Sequence, residues 1–138
     1  MPTPTHLSAT RLLPDTTAVS QDGVMRIAGY LLSELAQRYG TPLYVFDRAT
    51  IINACQHYQE AFRQYYYASS VRIIYAAKAY LSPLIVRTMA EQGMGLDVVS
   101  GGELSVAHHA GFPMENVSFH GNNKSEDELQ QTNEDMPH

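Results

Sequence analysis

The chain has 138 residues, 44% of them hydrophobic, with nine Lys and Arg against 14 Asp and Glu and a formal net charge of −5. That composition suits one soluble globular domain or a piece of one, and an acidic balance without a basic block argues against a nucleic-acid partner. No apolar stretch approaches the roughly 20 residues that span a bilayer, and Met1 to Pro14, with three prolines, lacks the apolar core of a secretory signal.

Residues 1–21, rich in Thr, Ser and Pro, read as an N-terminal arm with little structure of its own. Helical periodicity after Asp22, a plausible cap, puts Ile27, Leu31 and Leu35 on one face, and Gly40 and Pro42 stop that helix. Leu43-Tyr44-Val45-Phe46 predicts a short buried strand. Asp47 then caps a helix whose apolar stripe is Ile51, Cys55, Tyr58 and Phe62. Cys55, on that stripe, reads as a core residue rather than a nucleophile. As the single cysteine it forms no internal disulfide, which suits a reducing cytosol.

From Val71 the pattern repeats. A strand over Val71 to Ala79 leads to Ser82 and Pro83, a cap and first helical residue, and to the apolar face Ile85, Val86, Met89 and Ala90 before Gly93. A second strand, Gly95 to Val99, meets a Ser100-Gly101-Gly102 turn and a helix from Glu103 to Ala110, closed by Gly111 with Pro113 beyond. A third, Val117 to His120, opens into Gly121-Asn122-Asn123-Lys124, where Ser125 and Glu128 make a capping box for one more helix. Residues 130–138 form a polar tail. Such alternation predicts an α/β fold of parallel strands covered by helices. Lys78, Asp97 and His120 recur at intervals of 19 and 23 residues, each in or at the C-terminal end of its strand. Consecutive βα units therefore bring them to one rim, the rim at which such sheets and barrels bind ligands.

Lys78 is one of two lysines and lies inside an apolar run from Val71 to Leu81. Desolvation there favours the neutral amine and lowers its pKa from about 10.4 by several units. A neutral amine condenses with carbonyls; alternatively, Lys78 ends a strand and extends its head to solvent. Asp97 either orients the lysine and balances charge near it or caps the following turn through Ser100 and Gly101. Glu103 is either a site acid or a carboxylate favoured by the helix dipole, and His120 reaches a pocket or packs through a hydrogen bond. His108 and His109 point in different directions and have no nearby Cys or paired His, so no metal site is expected. The spacing of Gly101-Gly102 does not fit a phosphate loop.

Four segments, in order, carry a resemblance: Tyr39-Gly40-Thr41-Pro42-Leu43-Tyr44-Val45-Phe46-Asp47, Tyr75-Ala76-Ala77-Lys78-Ala79, Gly95 to Leu104, and Phe119-His120-Gly121-Asn122-Asn123-Lys124-Ser125. Together the chain resembles the N-terminal part of diaminopimelate decarboxylases, members of the pyridoxal-phosphate (PLP) group that includes ornithine and arginine decarboxylases and alanine racemase. The resemblance implies a partial (β/α)8 TIM-type barrel over residues 22–129, with about three βα units after an N-terminal helix-strand-helix. It implies that Lys78 holds PLP covalently, that Asp97 and His120 lie in the cofactor pocket, and that meso-2,6-diaminopimelate is decarboxylated to L-lysine. Such enzymes are cytoplasmic homodimers acting on a small amino acid, with no metal, nucleic acid or membrane involved.

A closed barrel needs about 200 residues or more. The chain is therefore expected to be a truncated piece, inactive by itself, marginally stable and prone to associate through uncovered strand edges and faces. The alternatives are a decarboxylase of the same fold for ornithine, arginine or carboxynorspermidine, a non-catalytic PLP-binding module, or an unrelated α/β domain with a structural Lys78.

Overall fold

The computed structural model describes residues 12–66 and 71–121, within two compact units, Met1–Ala54 and Cys55–His138. The first unit opens as an antiparallel meander rather than the expected helix. Strands β1 (Ala18–Val19), β2 (Met25–Ile27) and β3 (Tyr30–Leu31) pair in that order, with Ala18 opposite Arg26 and Ile27 opposite Tyr30. The reason is turn chemistry. Ala28 and Gly29, at φ 49° and 82°, are both left-handed, which suits a two-residue hairpin and cannot continue a right-handed helix. Ile27 and Leu31, spaced like helix neighbours, therefore fall on β2 and β3, and the helix α1 begins only at Leu32 (Leu32–Tyr39).

The strand expected over Leu43 to Phe46 is also corrected. This segment lies in neither sheet, and its side chains are exposed, Tyr44 at 89%. An apolar run becomes a strand only where a neighbour takes up its backbone groups, and β1 to β3 pair with one another.

Asp47 caps α2 (Arg48–Tyr65) as expected: the Ala49 N–H donates to its Oδ1 at 3.2 Å. Its Oδ2 accepts from the hydroxyls of Thr50 (2.6 Å) and Thr16 (2.8 Å). Asp15 adds a second tie: its N–H donates to Thr50 Oγ1, and its carboxylate accepts from Asn53 Nδ2. The start of α2 is thus laced to the segment ahead of β1.

In the second unit β4 (Ile74–Ala76), β5 (Gly95–Val98) and β6 (Val117–Phe119) form a parallel sheet in that order, linked by α3 (Pro83–Glu91) and α4 (Gly101–His109). The α/β reading with parallel βα units holds. Leu96 and Val98 of β5 are fully buried, together with Val86 and Met89 of α3 and Leu104 and Ala107 of α4. Ser82 caps α3 by accepting the Ile85 N–H, with Pro83 at the first helical position. Gly95 lets β4 and β5 close: a Cβ there would stand 3.0 Å from Ile74 Cγ1 and 3.3 Å from Arg72 Cδ.

Cys55 is core, as expected. It is buried, its thiol lies 3.9 Å from the Met89 sulfur, and burial pushes that thiol's pKa up. Tyr58 and Phe62, further along the same stripe, stay exposed.

Two outcomes are expected. Burial works against an ionised Asp47, but hydrogen bonds from Thr50, Thr16 and Ala49 outweigh it and hold its carboxyl below the ordinary range. Asp47→Ala should then cost about 1 kcal/mol in urea unfolding at neutral pH. That difference is fully present above the unfolded value near 3.9 and shrinks as pH falls through the lower folded value. Cys55 should react with a thiol reagent at least roughly tenfold more slowly in the native chain than in denaturant.

Candidate functional site

The register of the parallel sheet sets Ala76, Asp97 and Ser118 side by side in one row across β4, β5 and β6. Side chains alternate along a strand. Tyr75, Leu96 and Val117 therefore share the face covered by helices, and Ala76, Asp97 and Ser118 share the other. Beyond this row the strands end, and there the sequence had placed its candidates.

Lys78 sits two residues past Ala76, but not on a strand. β4 stops at Ala76, and Ala77–Ala79 make a 3₁₀ turn that lies against β5. Ala77 is buried beneath it while Lys78 is exposed, so the desolvation expected of an uninterrupted strand is not found. The turn carries the lysine out of the covered layer. Tyr75 clamps the turn: its phenol donates to the Tyr80 carbonyl at 2.7 Å. Burial pushes the Tyr75 phenol's pKa up, and its hydrogen bond to Tyr80 pulls the other way. Sequence reasoning missed this clamp, whose only signal is a pair of tyrosines flanking the lysine.

His120 mirrors Lys78 on the other flank, two residues past Ser118. Its backbone N–H donates to the Val98 carbonyl at 2.9 Å. Its ring Nδ1 pairs with Asp97 Oδ1, the Asp97 side chain being 27% exposed and the imidazole 71%. Sequence reasoning put both residues at one rim but did not pair them. Among the described residues, Lys78 makes no polar contact with either.

Glu103 has a structural task. Gly101 and Gly102 are the first residues of α4 rather than a turn before it. Ser100 Oγ accepts the Glu103 N–H at 3.3 Å, and the Glu103 carboxylate accepts the Val99 N–H at 2.7 Å. That reciprocal arrangement resembles a capping box. Residues Asn122 to Glu128, including Lys124 and the second capping box, lie outside the described residues.

Among the described residues no group of three or more His, Cys, Asp and Glu is placed to hold a metal ion. No helix among them is long and apolar enough to cross a membrane. A cavity of about 310 Å³, lined in part by Gln59, Phe62, Arg63 and Gly93, opens near the N-terminal starts of β4 and β5, away from this rim. The rim's own chemistry is distinctive: an exposed primary amine able to condense with an aldehyde, beside a carboxylate–imidazole pair able to move protons.

Residues 48–136 match the family model described as pyridoxal-dependent decarboxylase, pyridoxal binding domain. The diaminopimelate decarboxylase of Mycobacterium tuberculosis (strain ATCC 25618 / H37Rv) is 45% identical over 124 residues, which are 90% of this chain and 26% of that protein. That of Bacillus subtilis (strain 168) is 44% identical over 117 residues, 85% of this chain and 26% of that protein. The crystal structure of diaminopimelate decarboxylase from M. jannaschii in complex with L-lysine superposes with a TM-score of 0.77 at 38% identity, covering 87% of this chain and 28% of that one. The Helicobacter pylori enzyme, also complexed with L-lysine, gives 0.63 at 35% identity, covering 72% and 24%. The chain spans about a quarter of the length of the curated relatives it matches.

The capping role of Glu103 has a measurable cost. Glu103→Ala should destabilise the chain by about 1 kcal/mol in urea unfolding, and Glu103→Gln by less, since its amide oxygen still accepts the Val99 N–H.

Proposed function

The chain belongs to the pyridoxal-dependent decarboxylases, whose cofactor is PLP, and we propose that it supplies the cofactor-anchoring part of a diaminopimelate decarboxylase. The reaction removes one carboxyl group of meso-2,6-diaminopimelate as carbon dioxide and leaves L-lysine. The observation that carries this reading is the rim itself, where an amine, a carboxylate and an imidazole stand at the ends of three consecutive parallel strands. Two similar solved enzymes hold L-lysine, the product this reaction would yield, which supports the substrate class.

The residues present fit the aldehyde end of the cofactor. Lys78 offers an exposed amine on a clamped turn, two residues past the small Ala76 that pairs with Asp97. When bound, PLP supplies an electron sink for the pair released as carbon dioxide leaves. Lys78 would hold it, Asp97 would balance charge beside the amine, and His120 would border the pocket. Three parallel strands in sequential order, with helices on one face, are the opening units of a (β/α)8 barrel. In this reading the complete enzyme is a cytoplasmic homodimer, and the 138 residues alone anchor PLP without turning over substrate.

The test is direct. After incubation with PLP and reduction with borohydride, mass spectrometry should find the cofactor on Lys78, and Lys78→Ala should abolish it. A chimera carrying these residues in place of the matching part of the M. tuberculosis enzyme should release carbon dioxide from diaminopimelate rather than from ornithine or arginine. Lys78→Ala in that chimera should lower the rate by at least roughly a thousandfold. An unmodified Lys78 would overturn the cofactor reading; modification with turnover of another amino acid would overturn the substrate.

A further inference from the structure

Resting on that reading of Lys78, we propose that Tyr75 is its positioning residue: the phenol, bonded to the Tyr80 carbonyl, fixes the backbone turn that carries the lysine. Lys78 is exposed, so what places its amine is the backbone beneath it. That backbone has left the sheet. β4 ends at Ala76, Ala77–Ala79 form the 3₁₀ turn, and α3 starts at Pro83 behind its Ser82 cap. A three-residue 3₁₀ turn has poor hydrogen-bond geometry and little to hold it by itself. The residues on either side of Lys78 are alanines, and buried Ala77 offers only a methyl to the packing beneath. At Tyr80 the chain is extended again, with φ −174° and ψ 132°.

Tyr75 closes this segment. Its hydroxyl donates to the Tyr80 carbonyl at 2.7 Å, so residues 75–80 form a loop shut by that bond, with Lys78 inside it. Tyr75 is also the register partner of Leu96, which is fully buried on β5. One end of the clamp is thus a paired strand residue, and the other lies beyond the turn. Side chains alternate along a strand, so the phenol leaves β4 on the helix-covered face, opposite that of Asp97. From there it acts on Lys78 through the turn and touches nothing bound at the rim. Burial disfavours the ionised phenol, which keeps the proton that the clamp donates. Without the hydroxyl the loop opens, the amine samples more positions, and fewer of them meet an aldehyde held at the rim.

In the 138-residue chain free of cofactor, nitrogen-15 spectra read amide hydrogen exchange residue by residue. Tyr75→Phe removes one oxygen and keeps the aromatic ring. It should speed exchange across the Ala77–Ala79 turn about fivefold, as expected for the loss of one hydrogen bond. Amides of β5 should change by less than about twofold, which separates a loosened turn from a loosened sheet. 4-Aminophenylalanine at position 75 keeps an N–H donor at the same place and should restore slow exchange. 4-Methoxyphenylalanine keeps the oxygen without a proton to donate and should not. After PLP and borohydride, the ratio of cofactor on Lys78 to cofactor on Lys124, the chain's other lysine, is read by mass spectrometry. That ratio should fall at least about twofold in Tyr75→Phe and recover with 4-aminophenylalanine. Unchanged exchange in the turn, equal loosening of β5, or faster exchange with an unchanged lysine ratio would overturn the proposal. If the unsubstituted chain takes no cofactor on Lys78, the cofactor reading falls, and exchange with its 4-aminophenylalanine rescue decides the clamp by itself.

Discussion

Everything at the rim depends on the backbone register that puts Ala76, Asp97 and Ser118 in one row. The register is selected by burial. Leu96 and Val98 alternate with Asp97 along β5, and both are fully enclosed on the helix side. Each such side chain contributes about 1.5–3 kcal/mol when removed from water. A slip of one residue would expose both and force the Asp97 carboxylate into the apolar layer, which costs several kcal/mol more. The hydrophobic face thus chooses the pairing, and the pairing brings Asp97 to His120 across 23 residues of chain.

The same arrangement makes the sheet one-sided. α3 and α4 cover the face of Leu96 and Val98, and the opposite face presents Asp97, with Ile74 at 45% exposure. On that open face Lys78 meets water. Charges in such a setting interact weakly, because water and salt screen them; the same groups enclosed at low dielectric would influence one another far more. The amine, the carboxylate and the imidazole are therefore in place here, while the dryness that would sharpen their coupling is not.

Two helix starts were legible because capping is local chemistry. Asp47 and Ser82 each bond an amide two or three residues ahead, a relation that spacing along the chain reveals directly. The failures share the opposite cause. Periodicity across Ile27, Leu31 and Leu35 pointed to one helix, but left-handed backbone at Ala28 and Gly29 turned its first half into a hairpin. The apolar run at Leu43 to Phe46 had the composition of a strand and no strand pairing to join. Lys78 was placed on a strand drawn three residues too far at its C-terminal end, since nothing local marks Ala76 as the last paired residue.

By itself the sequence determined the chemical inventory, the βα order and the kinship with PLP decarboxylases, because composition, caps and motif spacing are properties of nearby residues. Only the tertiary structure decided that His120 holds Asp97 and that Lys78 stands in water. Both outcomes rest on interstrand hydrogen bonds between residues far apart in the chain, and on where the last of those bonds is made.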